Sequence, residues 1–303
     1  MAERYRRLGL RDLRSASKPV DPFSDKRARG RALIIGGSSR YHGAPVLAST
    51  SAYNLLASLR VGAGYSKLYV PRSILNPVRS LSPNTIVGAL GRNNITCNME
   101  ILHEIEMADA VAIGMGIGKT GSAMSASAKI IGHAIDCRKT VVVDADAIRS
   151  LPRFAKGHAL DRCVIATPHD AEFYAMTGMR LPERDLSYRA SISAEYARRL
   201  NIIIVLKGHR TVVTDGDTTM VNISKSHALA TMGTGDVLSG IICGYAAAGA
   251  TPIEAAAAGV YLHSRIGDML SKINGDHIIA KDVVDAIPEC IRAFDRVRDK
   301  DTI

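Results

Sequence analysis

The chain has 303 residues, of which 47% are hydrophobic and 22% charged, and this composition excludes intrinsic disorder over most of its length. Its net charge is +10, but many of the basic residues lie in segments 4–31 and 292–300, without an arginine-rich helix or zinc-ligand spacing, so we expect no nucleic-acid partner. No apolar run approaches the ~18 residues that span a bilayer, and five cysteines without a CxxC pair indicate reduced thiols, so we expect a cytoplasmic protein with no membrane partner.

The predicted elements begin with a basic N-terminal arm. Residues 1–30 lack periodicity, and Pro19 and Pro22 interrupt them, so we expect an extended arm or a partner-docking segment. Short apolar runs then alternate with helical patterns. The predicted strands are residues 32–35, 66–70, 110–113, 140–143, 164–165 and 202–206, and the predicted helices are residues 44–59, 122–136, 171–177, 187–200, 236–248 and 252–271. This alternation predicts an α/β fold with a central, mostly parallel sheet covered by helices.

One segment departs from the strand–helix alternation. Within residues 211–222, two short strands flank Asp215-Gly216-Asp217, and the Asp-Gly step predicts a local antiparallel hairpin. The sequence contains no internal repeat and no low-complexity linker that would divide it further. We therefore expect residues 31–303 to form a single domain.

The segment Gly233-Thr234-Gly235-Asp236 is followed directly by an apolar helical pattern. Glycines allow close backbone approach to an oxyanion, and a helix start offers free N–H groups and a positive dipole end. Asp236 has two interpretations: a cap or first-turn residue that satisfies backbone donors, or a carboxylate that takes a proton from an incoming hydroxyl. The expected place at the carboxyl edge of a parallel sheet favours phosphoryl transfer, with Asp236 as the general base.

Two other glycine-rich segments follow predicted strands. Gly36-Gly37-Ser38, with Gly43-Ala44-Pro45 shortly after it, predicts either a ligand-contacting loop or a tight turn, and Pro45 suits a helix start. Gly114-Met115-Gly116-Ile117-Gly118 is equally compatible with a flexible turn and with a site of close backbone approach. Neither segment matches a P-loop or the GxGxxG fingerprint, so both of those nucleotide-binding motifs are excluded.

Charged side chains lie at three further strand ends. Asp144 and Asp146 would either hold magnesium through water or organise neighbouring loops, and Asp146 has a third interpretation as a helix cap. His169 is either a ligand contact or a structural hydrogen-bonding residue. Lys207 either neutralises phosphate or lies on the surface, and Gly208 beside it would give a ligand access to the backbone.

In this order the motifs resemble the ADP/ATP-dependent NAD(P)H-hydrate dehydratase family, a branch of the ribokinase-like fold. The resemblance covers about Arg31 to Leu270. It is carried by Gly36-Gly37-Ser38, Gly43-Ala44-Pro45, Arg60-Val61-Gly62-Ala63-Gly64, Asp144-Ala145-Asp146, Thr167-Pro168-His169, Lys207-Gly208 and Gly233-Thr234-Gly235-Asp236. The resemblance implies a three-layer α/β/α ribokinase-like fold.

The resemblance also implies an activity and its residues. The expected enzyme is a carbon–oxygen lyase of metabolite repair, which dehydrates (6S)-NADHX or NADPHX by phosphorylating the hydrate hydroxyl from ADP or ATP with Mg²⁺ and then eliminating phosphate. The implied catalytic loop is Gly233, Thr234, Gly235 and Asp236, with no metal ligand from the protein. The implied substrate contacts are Ala44, Gly116, His169 and Asp236, and the implied nucleotide contacts are Lys207, Gly208, His209, Arg210, Thr211 and Gly235.

Alternatives remain at this level. A small-molecule hydroxyl kinase of the same fold, similar to hydroxyethylthiazole or sugar kinases, would instead release a stable phosphate ester, and a nucleotide-sensing module would bind without turnover. Ser226-His227-Ala228 stands where the family has an Asn-Pro-Gly-like turn, and Gly114-Met115-Gly116 lacks the family's central Pro. The resemblance further implies a homo-oligomer, a tetramer in relatives, which acts alone or beside a separate NAD(P)HX epimerase.

Overall fold

The computed structural model describes residues 5–17, 23, 25–39, 61–81, 86–154, 160, 162–182, 185–224 and 227–300. Within these residues, one ten-stranded sheet forms the centre of the molecule. Its strands are β1 (Arg6–Arg7), β2 (Arg31–Ile35), β3 (Tyr65–Val70), β4 (Ile86–Ala89), β5 (Ala110–Ile113), β6 (Thr140–Val143), β7 (Val164–Ala166), β8 (Ile203–Leu206), β9 (Val212–Thr214) and β10 (Thr219–Val221).

The strand order is β1-β10-β9-β8-β7-β6-β5-β2-β3-β4. Neighbouring strands are parallel except where β9 pairs with β8 and with β10. The carboxyl ends of β2, β5, β6, β7 and β8 therefore meet at one edge of the sheet. In open α/β sheets, this is the edge at which ligands bind.

Helices cover both faces of the sheet. They are α1 (Leu10–Ala16), α2 (Leu75–Leu81), α3 (Met99–Met107), α4 (Gly121–Asp136), α5 (Leu151–Phe154), α6 (Asp170–Thr177), α7 (Leu186–Leu200), α8 (Thr234–Ala247), α9 (Pro252–Asn274) and α10 (Ala280–Lys300), with 3-10 turns at Arg72–Ile74 and Ala145–Ser150. Successive strand residues point to opposite faces, so Ile34 packs in the core under α1, α2, α8, α9 and α10, while Leu33 and Ile35 pack under α3 to α7. This is the three-layer α/β/α arrangement that the resemblance implies.

The structure confirms the six predicted strands to within one residue at either end and the antiparallel hairpin. Five of the six predicted helices are also present, and the sixth, residues 44–59, lies outside the described residues. The sequence reasoning missed β4, α2, α3 and α10, although α3 carries its own signal, an Asn98 side chain that caps its first turn. Among the described residues, no helix has both the length and the apolarity required to cross a bilayer.

The predicted extended arm is wrong over residues 5–17. Arg6 and Arg7 pair in parallel with β10, and α1 follows, with Leu13 and Ala16 buried against the core on the α9 side. Arg6 also donates two hydrogen bonds, of 3.0 and 2.6 Å, to the carboxylate of Asp12. Two turns of helix are too short to show a clear apolar period in the sequence, which is why this element was missed.

Candidate functional site

The loops at the carboxyl edge of the sheet are joined to one another by hydrogen bonds. The Gly37 N–H after β2 donates to the Met115 carbonyl after β5 at 2.7 Å, and the Gly118 N–H of that second loop donates to the Asp146 carboxylate at 3.0 Å. On the other side, the Lys207 N–H donates to the Pro168 carbonyl at 2.8 Å. The separate sequence motifs are therefore one connected surface in the fold.

Asp144 lies at the centre of this surface and is only 1% exposed. Its carboxylate accepts hydrogen bonds from Thr167 Oγ1 at 2.7 Å, Lys207 Nζ at 2.9 Å and Ser239 Oγ at 2.7 Å. Burial alone would raise the pKa of Asp144, but the charge of Lys207 and these three hydrogen bonds hold it below its usual range. Asp144 thus links the ends of β6, β7 and β8 to α8 through three hydrogen bonds.

Lys207 connects this centre to the glycine-rich loop. Its Nζ lies 2.9 Å from Asp144 and 3.7 Å from Glu172, and 3.5 Å from where a Cβ on Gly235 would stand. Burial disfavours the charged amine, but the carboxylates of Asp144 and Glu172 outweigh this effect and raise the pKa of Lys207. The sequence was compatible with a lysine on the surface. In the structure, Lys207 is half-buried and its ammonium group lies near Gly235.

Asp236 is the third residue of α8. The helix begins at Thr234, its N-cap is Gly233 with φ of +90°, and no side chain caps it. Asp236 lies in the first turn of the helix, but no hydrogen bond within the described part of the chain reaches its carboxylate, so it caps no backbone donor. Burial, together with the charges of Asp144 and Glu172 and against the opposing charge of Lys207, raises the pKa of Asp236 to about 8. The Asp236 carboxylate therefore makes no hydrogen bond to the described residues, and its raised pKa makes it a stronger base than an ordinary aspartate.

The loop before α8 is held in shape by Thr234. Its Oγ1 donates to the carbonyls of Leu229 and Thr231 at 2.7 and 2.8 Å, and the positive φ of Gly233 lets the chain turn into the helix. Among the described residues, the N–H groups of Gly235 and Asp236 have no acceptor. Free N–H groups at the start of a fourteen-residue helix are the groups that an anion site requires, and the sequence predicts such a site here.

His169 has a structural role that the sequence left open. It is the N-cap of α6, where its Nδ1 accepts from the Ala171 and Glu172 N–H groups at 3.1 and 3.4 Å, while Glu172 accepts in return from the His169 N–H. Because Nδ1 is an acceptor, Nε2 is the nitrogen that can carry the proton. The ring is half exposed and also lines the cavity described next.

A cavity of about 660 Å³ opens beside the cluster, a volume in the range of small-molecule sites. Its walls come from the segment after β8, the loop before α8, and α9; the lining includes His169, Lys207, Gly208, His209, Thr211, His227, Leu229, Thr231, Thr234, Gly235, Leu238, Val260 and His263. The exposed rings of His209 and His227 stack there, with centroids 5.0 Å apart and planes 12° apart. Gly116 is not part of this lining, and Arg210 lines an adjoining cavity of about 720 Å³.

Gly208 packs closely against the side chain of Arg189. A Cβ there would lie 2.8 Å from the Arg189 guanidinium, which is buried and donates to both Asp170 carboxylate oxygens at 2.8 and 2.7 Å. Arg189 also donates to the Lys207 carbonyl at 3.3 Å. This arginine fixes the start of the Lys207 segment. Sequence reasoning missed Arg189, Ser239 and His263 because each lies inside a helix, where periodicity gives no functional signal.

The end of β5 leaves no room for a side chain at Gly114. Its φ is +128°, and a Cβ would lie 1.9 Å from the Asp144 carbonyl oxygen, whereas Gly118 has φ of +79° and open space around it. We expect Gly114→Ala to lower the free energy of unfolding by about 3 kcal/mol, and Gly118→Ala, the matched control with strain but no clash, by about 1 kcal/mol. Urea unfolding measures both; equal losses would contradict this account.

Of the predicted substrate contacts, Gly116, His169 and Asp236 lie at the carboxyl edge of the sheet, and Ala44 lies outside the described residues. The predicted nucleotide contacts, from Lys207 to Thr211 with Gly235, line the two adjoining cavities. Asp146 is not the cap of the 3-10 turn at Ala145–Ser150, because it lies within that turn and the N-cap is Asp144; its carboxylate instead accepts a hydrogen bond from the Gly118 N–H. Among the described residues, no group of three or more metal-binding side chains is present.

Comparison with known proteins gives consistent matches. A family model described as NAD(P)H-hydrate dehydratase matches residues 32–289. The chain is 32% identical over 295 residues to an ADP-dependent (S)-NAD(P)H-hydrate dehydratase of Cenarchaeum symbiosum, covering 96% of this chain and 99% of that protein. It is 33% identical over 279 residues to a bifunctional NAD(P)H-hydrate repair enzyme of Pyrobaculum aerophilum, covering 91% of this chain but only 53% of that protein. The chain thus spans about half the length of such bifunctional relatives.

Solved structures share the fold over almost the whole chain. A ribokinase-like superfamily protein of Enterococcus faecalis superposes with a TM-score of 0.81 at 26% identity, covering 97% of this chain and 98% of that one. An ADP/ATP-dependent NAD(P)H-hydrate dehydratase of Bacillus subtilis, co-crystallized with ATP/Mg²⁺, superposes with a TM-score of 0.78 at 27% identity, covering 97% of this chain and 100% of that one. The fold is therefore ribokinase-like.

Proposed function

The chain belongs to the NAD(P)H-hydrate dehydratase family, whose model matches residues 32–289, and from this premise we propose that it dehydrates the S epimer of NADHX or NADPHX in a nucleotide-dependent reaction. The observation that carries the proposal is the state of Asp236. Its carboxylate makes no hydrogen bond within the described residues, its pKa is raised to about 8, and it stands beside free helix N–H groups and Lys207. A basic carboxylate beside an anion site is what hydroxyl phosphorylation requires.

In the first step, Asp236 takes the proton of the hydrate hydroxyl, and the freed oxygen attacks the terminal phosphorus of ADP or ATP. The bond from that phosphorus to the bridging oxygen breaks, releasing AMP or ADP. In the second step, the lone pair of the ring nitrogen expels phosphate from the neighbouring carbon, and loss of a proton restores the ring double bond. The net result is NADH or NADPH, inorganic phosphate and the shortened nucleotide.

The protein groups divide between the two ligands. The N–H groups of Gly235 and Asp236 and the Lys207 ammonium would stabilise charge on the transferred phosphoryl group. The segment Lys207, Gly208, His209, Arg210 and Thr211 would hold the nucleotide in the cavities it lines, with Gly235 beneath the phosphates. Gly116 and His169 would contact the hydrated dinucleotide together with Ala44, which lies outside the described residues.

Magnesium fits the charge balance of this cluster. Asp144, Glu172 and Asp236 act electrostatically on one another and on the single cation Lys207, so the cluster carries more negative than positive charge when all three are ionised. Asp144 already accepts three hydrogen bonds and Asp236 serves as the base, so Glu172 is the carboxylate of the cluster that would help to hold the ion through water. When bound with the nucleotide, Mg²⁺ neutralises phosphate charge, and it needs few protein ligands for this.

A product assay tests the function directly. The purified protein is incubated with (6S)-NADHX and MgADP or MgATP, following NADH absorbance at ~340 nm and the release of phosphate, with AMP or ADP quantified. We expect NADH, phosphate and the shortened nucleotide in equal amounts. NADH forms only if phosphate is eliminated after the phosphorylation, because the phosphate ester itself lacks the ring double bond of NADH. Accumulation of an acid-stable phosphate ester would favour the kinase alternative, and binding without turnover would favour a sensor.

The same proposal includes the organisation of the protein. We infer one catalytic domain over residues 31–303, although the N-terminal strand β1 joins its sheet. We also infer a homo-oligomer, with a separate epimerase that converts the other epimer into the (6S) substrate. The support for the epimerase is that bifunctional relatives carry about as much chain again beyond the matched part. Size-exclusion chromatography with light scattering tests the oligomeric state, and NADHX turnover from a mixed-epimer pool with and without added epimerase tests the coupling.

A further inference from the structure

His227 is an exposed residue that the catalytic scheme does not use. Its ring stacks on the ring of His209, with centroids 5.0 Å apart and planes 12° apart. Within the described residues, neither ring makes a hydrogen bond or an ion pair. Both residues are exposed and both line the cavity beside the cluster. The stacked pair is therefore accessible to a ligand in that cavity.

The two rings are carried by segments whose backbones are held in place. His209 follows Lys207, whose N–H donates to the Pro168 carbonyl at 2.8 Å. The carbonyl of His227 accepts from the Ala230 N–H at 3.0 Å, at the start of the loop before α8. The stack thus joins the predicted nucleotide segment to the loop that leads to the free helix N–H groups.

The pair lies where the two cavities adjoin. His209 and His227 line both the cavity of about 660 Å³ and the cavity of about 720 Å³. Lys207 and Gly235, beside which the nucleotide phosphates would lie, line only the first of them. A nucleotide with its phosphates at Gly235 therefore shares its cavity with the stacked pair.

The pair is also the flat surface that the lining offers to a planar ring. No Phe, Tyr or Trp is among the described residues that line either cavity. Of the other two histidines in the lining, His169 uses its Nδ1 to cap α6, and His263 is only 9% exposed. Stacking of a nucleobase on an aromatic side chain raises affinity by roughly 5-fold or more. A purine has a larger face than a pyrimidine and gains more from such a surface.

We propose that His227, stacked on His209, forms a platform for the base of the bound nucleotide, and that His227 makes the site selective for purine nucleotides. The inference rests on the proposed function, because it takes the nucleotide phosphates to lie at Gly235. His227 stands in the segment where the family has an Asn-Pro-Gly-like turn, so the resemblance by itself assigns it no role. It is a specificity residue, since it acts on the base and not on the transferred phosphorus.

Two substitutions separate the ring face from the ring nitrogens. His227→Leu keeps apolar bulk but removes the flat face, whereas His227→Phe keeps an aromatic face and removes both nitrogens. His277→Leu is the matched control, because His277 is also exposed but lines neither cavity. Thermal unfolding verifies that each variant is folded.

The test measures the Kd of MgADP and MgUDP by calorimetry, since these ligands share the ribose and the diphosphate and differ in the base. We expect the wild-type protein to bind MgADP at least about 10-fold more tightly than MgUDP, and His227→Leu to reduce this ratio to about 3-fold or less. His227→Phe and His277→Leu should keep the ratio within about 2-fold of the wild-type value. A ratio taken within one variant cancels any general loss of phosphate binding.

Three results would overturn the inference: equal wild-type affinity for the two ligands, an unchanged ratio in folded His227→Leu, or the same loss of ratio in His227→Leu and His227→Phe. An unchanged ratio with a raised KM for (6S)-NADHX would also decide against it and would place the pair beside the dinucleotide. If His227→Leu does not fold, His209→Leu removes the other half of the stack, and an unchanged ratio there overturns the inference in the same way. Failure of the wild-type protein to bind either MgADP or MgATP is a separate outcome, which would remove the proposed function itself.

Discussion

Asp236→Asn is expected to lower kcat by about 10³-fold while leaving the Kd for MgADP within about 3-fold of the wild-type value. The amide keeps the shape of the carboxylate but cannot accept the proton of the hydrate hydroxyl. The backbone N–H groups of Gly235 and residue 236, which would hold the phosphates, are unchanged by the substitution. The measurements are NADH formation at saturating substrate and calorimetric titration with MgADP.

The same variant should change the pH dependence of stability. A carboxyl group of raised pKa favours the folded state while it is protonated, so its contribution is present below the unfolded pKa of about 4 and is lost as pH rises to the folded pKa of about 8. Asparagine does not ionise. The Tm of Asp236→Asn relative to wild type should therefore rise between pH 5 and pH 8.5.

The pH profile of the wild-type rate follows from the same group. The kcat/KM value should increase with pH and level off above about 8, because the free enzyme needs the ionised carboxylate. Asp276→Asn is the matched control, since Asp276 is exposed and lies outside the cluster. A variant at 236 with near-normal NADH formation, or one whose Tm difference is flat with pH, would contradict the role of Asp236 as a buried base.

Lys207→Met has the second large expected effect, a loss of about 3–5 kcal/mol of unfolding free energy. The substitution leaves the Asp144 carboxylate charged and 1% exposed, with Thr167 and Ser239 as its only remaining donors within the described residues. It also removes the cation beside the phosphate loop, so MgADP should bind at least about 10-fold more weakly. Urea unfolding and calorimetry measure the two effects.

The double variant Asp144→Asn/Lys207→Met is the control that separates charge from volume. A neutral amide needs no counter-ion, so the double variant should recover part of the stability lost in Lys207→Met, giving a coupling energy of about 1–3 kcal/mol between the two sites. The lost nucleotide affinity should not recover, because the ammonium is still absent. If stability losses simply add, the pair is not the centre of the cluster.

Asp236 shows where local pattern stops being sufficient, because the sequence left a capping or first-turn role open beside the favoured role of general base. The sequence predicted a helix from residue 236, which made Asp236 a natural cap, whereas α8 begins two residues earlier at Thr234. That shift moves the carboxylate from the cap to the third helical residue, where no N–H claims it. Gly233 ends the loop through its positive φ, so the cap is a backbone feature without a side-chain signature.

His169 and Asp144 show the complementary lesson. The residue types at these strand ends marked positions that the structure brings to one edge of the sheet, because parallel strands bring their carboxyl ends together. Their individual tasks depended on neighbours. His169 caps α6 with Nδ1. Asp144, one of the two carboxylates that the sequence offered for magnesium, instead accepts three hydrogen bonds from protein side chains.

The sequence by itself determined the alternation of strands and helices, the glycine-rich loop at a helix start and the family. These follow from period, composition and short-range backbone geometry, which a linear pattern records. Only the tertiary structure decided which charges meet. Lys207 and Ser239 reach Asp144 from 63 and 95 residues away in the chain, and burial among them sets the pKa of Asp236 to about 8. Burial and long-range charge are properties of packing, so the basicity of Asp236 appears only once the chain is folded.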